Sequence, residues 1–408
     1  MLLLIGITYS SNSKIMSSYK PKGWWAVIKR ELRLMISKPT YLMVTLVLPL
    51  LAIGVMALIF SQGVPRDLPI GLVDLNQSAT SRKLVRMVDA TASAQVVQSY
   101  ADLTSARKAV ERKDIYGVLV IPAHFERDIF KGTRPQVAFF YNNAYLIVGG
   151  ILNKDVTTAV STFSAGVDLN IRLKKGQHTN AAMQAVMPIR VDTHVLFNPY
   201  TNYFYYLTTA FLPIMLLMFI LGGTVYAIGS EFKYHRAGEW LSTAHGSIIR
   251  ALSAKMVPYL VIYSLLMFLV NVLLFKYFGT PFNGSKALIF YNAVLFVLAY
   301  ISMGIAIATI FTSLRMALSV SSVYAALAFT ISGLTFPHIA MYAPITIISK
   351  LFPFTHYLKV FIEQSLQGAP VATSMMSLLY LNLFLAVPFL FISRLKKVCR
   401  TPRVWGKN

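Results

Sequence analysis

The chain has 408 residues, more than half of them apolar, a positive mean hydropathy and a formal net charge of +23. Apolar content this high, gathered into long runs, excludes the ordinary soluble classes and points to the membrane class. The basic excess does not read as a nucleic-acid signal, because its placement follows membrane topology.

The opening MLLLIGITYS is too short to span and has no charged leader, which makes it a poor signal peptide. A start at Met16 is the more natural one, leaving 1–15 without order or outside the expressed chain. The next stretch, GWWAVIKRELRLMISKPT, sets Trp24, Trp25, Ile28, Leu32 and Met35 at helical spacing, with Lys29, Arg30 and Arg33 largely elsewhere on the wheel. That pattern predicts an amphipathic helix in the headgroup layer, ended by Pro39 within a cytoplasmic segment 1–40.

A hydrocarbon core about 30 Å thick takes roughly 20 helical residues to cross. Six stretches meet that length: 41–61, 206–229, 257–275, 288–311, 317–336 and 373–391. Placing both termini in the cytoplasm puts eighteen Lys/Arg residues on that side. The short opposite loops hold four: Lys276, Lys286, Lys350 and Lys359. This bias orients the protein, with a basic cytoplasmic tail at 394–408. The single cysteine, Cys399, lies in that tail and can form no intrachain disulfide.

Between spans 1 and 2 the block 62–200 alternates strand-like and helix-like pieces. LPIGLVD, QVVQSY, YGVLVIP and QVAFFYN read as strands. SATSRKLVRMVDA, DLTSARKAVERKD and HFERDIFKG read as helices, with a Ser or Thr cap, an Asp102 cap and a Gly132 stop respectively. The order predicts a small extracytoplasmic α/β domain, followed by a long helix over about 144–175. The aromatic cluster NPYTNYFYYL marks the outer interface where span 2 begins. His124, His178 and His194 are scattered and unaccompanied by Cys, so neither a metal site nor a catalytic constellation is expected.

The six stretches nearly lack ionisable side chains, which argues against a proton-coupled carrier. Asn292, Ser321 and Ser322 are the candidate path-lining residues. GTPFNGSK, at 279–286, imitates a phosphate loop but lacks the Gly-Lys-Ser/Thr ending and reads as a turn. The chain shows no nucleotide-binding motif, so any ATPase that serves it would be a separate partner.

SEFKYHRAGEWLSTAHGSIIRALSAK, directly after span 2, places Glu231 and Glu239 around a basic centre, then Trp240-Leu241 and Ser242-Thr243. FPHIAMYAPITIISKLFPFTHYLKVFIEQSLQG follows span 5 and is broken by Pro344 and Pro353. Irregular backbone at membrane depth survives only where protein or water satisfies it. In joint order these features resemble the permease subunit of type-2 ABC exporters, over essentially the whole chain from about residue 20. The frequent Gly-Thr of that family after the second glutamate is missing here.

The resemblance implies an α-helical polytopic membrane protein with six transmembrane helices, the α/β domain being inserted between helices 1 and 2. It implies a cytoplasmic coupling segment, 230–250, with Glu231, Arg236, Glu239, Trp240 and Leu241 meeting the ATPase. It also implies an external re-entrant hairpin, 337–358, marked by Phe336, Pro337, Pro353 and Tyr357, and a path lined by spans 2 and 5. ATP and Mg would sit on the partner ATPase and no cofactor on this chain. The other expected partners are a second copy or sister permease, the lipid bilayer and a periplasmic adaptor, in a bacterial inner membrane. The expected cargo is an amphipathic small molecule, drug or lipid. The alternative reading is a membrane-anchored receptor or assembly protein whose external domain binds a ligand.

Overall fold

The structure is a computed structural model that describes residues 22–61, 65–186, 203–402 and 405. The expectations for 1–15, for His194 and for most of the aromatic cluster at 198–207 lie outside the described residues and side chains. Two compact units divide the chain, 62–201 and the remainder.

The membrane unit begins with helix α1, Trp24–Ser37, and continues into α2, Pro39–Ile59. A π-helical turn at Met43–Val47 precedes Pro49 in α2. Proline cannot donate to the carbonyl four residues back, and a widened turn absorbs that gap in the ladder.

The α/β unit holds β1 (Leu68–Asp74), α3 (Ala79–Asp89), β2 (Ala94–Ser99), α4 (Leu103–Glu111), β3 (Gly117–Ile121), α5 (Phe125–Lys131), β4 (Ala138–Tyr141), α6 (Leu146–Lys174) and α7 (Thr179–Val186). Its sheet order is β2-β1-β3-β4, with β1 parallel to both neighbours and β4 antiparallel to β3. Alternation along β1 and β3 feeds both faces of the sheet. Ile70, Leu72, Leu119 and Ile121 pack with Leu84, Phe125, Leu152 and Val156, while Val73 and Val118 pack with Ala106 and Ala109 of α4. The caps that punctuate these helices are those the sequence predicts. Ser78 accepts from the Ser81 amide, Asp102 accepts from Ser105, and Gly132 closes α5 in the left-handed region. The Ser105 hydrogen bonds hold the Asp102 carboxyl below its ordinary pKa.

The membrane unit resumes with α8 (Tyr203–Lys233), α9 (Ala237–Thr243), α10 (Ile248–Tyr277), α11 (Lys286–Ile310), α12 (Leu314–Thr330), α13 (Ala343–Ser349), α14 (Pro353–Gln367) and α15 (Val371–Arg400). Among the described residues, five helices, α2, α8, α10, α11 and α15, are long and apolar enough to cross a membrane. The α8–α11 seam is close: a Cβ at Gly304 would press on Thr224.

The expected span at 317–336 is corrected to the shorter α12, only 17 residues long. The apolar run continues past Thr330, but Gly333 turns left-handed and His338 brings its Nε2 to the Ile331 carbonyl at 3.2 Å, so the chain leaves the helix there. Helices α13 and α14 meet at 87°, as a broken span or a re-entrant loop would. His356 against the Lys350 carbonyl (2.9 Å) and the Tyr324 hydroxyl on Leu351 (3.0 Å) tie down that corner. The basic tail carries structure: helix α15 runs into it as far as Arg400, Cys399 is buried, and buried Trp405 donates to the Val398 carbonyl at 2.6 Å.

Candidate functional site

Helix α1 packs along α10, but not with the single apolar face that the wheel suggests. Val27, Ile28, Glu31 and Met35 are buried, whereas Trp25, Leu32 and Ile36 are exposed on the opposite side with Lys29 and Arg33. Trp24 is half-buried and its indole faces Ser253 at 3.3 Å. The expected interfacial stripe is therefore split. Ile28 belongs to the protein core, and Trp25 and Leu32 are left exposed.

Glu31 sits in the buried stripe of α1, and a carboxylate there must be paired. Its two oxygens accept from the Lys255 ammonium at 2.6 Å and from the Tyr259 hydroxyl at 2.7 Å, both on α10. Lys255 also donates to Glu231 of α8 at 2.8 Å. Arg30 completes the cluster with a two-pronged contact to Glu231, at 2.7 and 2.8 Å. Two acids and two bases thus neutralise one another across three helices. Glu31, Glu231 and Lys255 are fully buried. Burial opposes the charge on Arg30, yet the hydrogen bonds and charge of Glu231, with Glu31 and Glu239 nearby, raise its pKa above the ordinary value. Beside the cluster, the Tyr41 hydroxyl meets Ser230 at 2.5 Å, so α2 is tied in as well.

The short helix α9 sits against this cluster. Trp240 is fully buried, donates to the Ala251 carbonyl at 3.1 Å and places its ring 5.4 Å from the Lys255 ammonium, a cation–π contact. Leu241 is buried too. The residues expected to meet the ATPase divide between the interior and the surface. Glu231 and Trp240 point into their own chain, because the buried ammonium and, for Trp240, the α10 backbone claim them, and Leu241 is buried beside Trp240 in sequence. The surface that remains outside includes Lys233, Tyr234, His235, Gly238, Glu239 and Ser242. Arg236 is half-buried, stacked on Tyr234 at 5.3 Å, and its Nε is buried without a hydrogen-bond partner. Trp405 lies beside Gly238, where an added Cβ would touch it, and its ring is tilted against that of His235 at 5.8 Å.

The other predicted residues disperse. Asn292 is buried and donates to the Tyr357 carbonyl at 3.1 Å, so it joins α11 to α14. Ser321 and Ser322 both return their hydroxyls to the Leu318 carbonyl, at 2.8 and 3.0 Å; only Ser322 is exposed. Phe336 and Pro337 lie in the exposed turn after α12. Pro353 starts α14 and Tyr357 is buried against Phe296, so these two form the inner limb of the bent pair. The segment 279–286 is an irregular turn with Gly279 in the left-handed region, as its sequence predicts.

Sequence reasoning misses Glu31, Lys255 and Tyr259. Glu31 carries a signal, being an acid in register with Ile28 and Met35. Lys255 and Tyr259 share one face of α10 at i,i+4 spacing, but Lys255 reads equally well as a topology charge. A second acid is also missed. Glu363 of α14 is buried and accepts from Ser374 at 2.8 Å.

Compared with known proteins, residues 39–394 match the model of the ABC-2 family transporter protein. No curated protein matches the chain.

Proposed function

The chain belongs to the ABC-2 family of transporters, and from that premise we propose that it is an exporter permease driven through the exposed edge of α9. Membership makes it a multi-pass membrane permease, a transport component without an ATPase site of its own, whose family implies an ABC ATPase partner. It also favours the permease over the receptor reading. The finer claims are ours: export of an amphipathic molecule, a dimer of permeases in a bacterial inner membrane with both termini cytoplasmic, and ATP and Mg held by the partner.

The observation that carries the proposal is the buried cluster of Arg30, Glu31, Glu231 and Lys255 beneath α9. Burying two ion pairs contributes little net stability, because desolvation offsets the Coulomb gain, but breaking one is costly. Such a cluster resists sliding of its helices past one another. A push by the ATPase on Tyr234, Glu239 and Ser242 would therefore move α1, α8 and α10 together rather than deform α9 alone. Trp240 would transmit that push from inside, packed on Lys255. The external hairpin and a periplasmic adaptor would belong to the exit side.

The test is purification of the tagged full-length protein from native membranes in mild detergent, with assay of co-purifying, vanadate-sensitive ATP hydrolysis. Hydrolysis is expected with the wild type, and its loss with Tyr234→Ala/Glu239→Arg, while thermal stability holds. Undiminished hydrolysis in that variant would remove the α9 edge as the docking surface. No co-purifying ATPase from the folded wild type would remove the energy source.

A further inference from the structure

The loops at the membrane face opposite α9 carry few positive charges, and two of their four lysines flank one cavity. Lys276 ends α10 and Lys286 begins α11, and between these helices lies a cavity of about 520 Å³. Its volume falls within the range of small-molecule sites, roughly 300–1,000 Å³. The lining runs from Lys276 back to Ser264 and from Lys286 on to Val294. At 1.5 Å rise per residue those stretches are about 18 Å and about 12 Å long. The cavity is thus an elongated crevice, cationic at its mouth and apolar along its depth. Phe268, Phe275 and Phe290 form the walls, and Phe268 and Phe290 are exposed on the outer surface of the helix pair.

Three features of the crevice call for a ligand. Neither lysine has an ion-pair partner among the described residues. Both stand on the face where the positive-inside bias disfavours them. Asn271 gives its amide nitrogen to the Met267 carbonyl, which leaves its oxygen in the crevice wall buried and unpaired. We propose that the crevice holds one anionic phospholipid of the surrounding bilayer, its phosphate between Lys276 and Lys286 and an acyl chain along the phenylalanines. A headgroup hydroxyl or an ordered water satisfies Asn271. This site is separate from the α9 surface and does not depend on the ATPase.

The full-length protein is reconstituted into phosphatidylcholine vesicles containing a minor share of phosphatidylglycerol, re-extracted in mild detergent, and its bound phospholipid is identified by mass spectrometry. Wild type should retain phosphatidylglycerol well above its share. A lysine near an anionic lipid surface is worth about a fivefold change in affinity, so Lys276→Gln/Lys286→Gln should lower retention by about tenfold or more. Lys276→Arg/Lys286→Arg should keep most of it, and Lys350→Gln/Lys359→Gln should leave it unchanged. Equal enrichment in the glutamine pair, or equal retention of phosphatidylcholine by wild type, would overturn the proposal. Loss of the lipid on addition of ATP to the transporter with its ATPase would overturn it too, making the occupant cargo.

Discussion

Helix α10 carries a lysine near each end, and the two have opposite fates. Lys255 is fully buried, shared by Glu31 and Glu231, and capped by the ring of Trp240. Lys276 is exposed at the rim of an apolar crevice. An ammonium in the interior is tolerated only with its counter-charges in place, so the first end is dictated from within the chain. The second end meets its counter-charge only from outside. One end of the helix is therefore a structural joint, and the other is a surface addressed to a ligand.

That contrast is broken most severely at Lys255. Lys255→Ala leaves two carboxylates buried without their shared cation, and a broken buried pair costs about 3–5 kcal/mol. Thermal unfolding in detergent should show a large loss of stability or no folded protein. Next comes Arg30→Lys, which keeps the charge but cannot reproduce the two-pronged contact with Glu231. Loss of one charge-assisted hydrogen bond corresponds to about 1.5–3 kcal/mol, visible in the same unfolding measurement. In the α/β unit, Ser78→Ala removes one helix cap for about 1 kcal/mol. Limited proteolysis of the whole protein should then show faster cleavage within that unit and unchanged cleavage elsewhere. Smallest is Lys276→Gln, expected within about 0.5 kcal/mol of wild type in unfolding. A large destabilisation there would show that the crevice end is also a joint.

The parts legible in the sequence are those encoded locally. Runs of apolar residues mark α2, α8, α10, α11 and α15, and Ser78, Asp102 and Gly132 mark helix ends in the α/β unit. The run at 317–336 misleads, since apolar composition persists beyond Thr330 while the backbone turns at Gly333. The site is legible only as a place. Its exposed residues Tyr234 and Glu239 lie in the stretch that the sequence singles out, but Trp240 and Glu231 turn inward to partners more distant in the chain. Arg30 and Glu231 are 201 residues apart, and Glu31 and Lys255 are 224. No periodicity connects such pairs, and only the lone acid in the buried stripe of α1 hints that one exists.

The proposed coupling turns on whether buried charges lock α1 to α8 and α10. A double-mutant cycle between Arg30 and Glu231, with Arg30→Gln, Glu231→Gln and the pair together in thermal unfolding, measures that lock directly. Each single change should be costly and the pair should cost clearly less than their sum, with a coupling energy above about 1 kcal/mol. Additivity to within about 0.5 kcal/mol would show that the two helices are not joined through these charges.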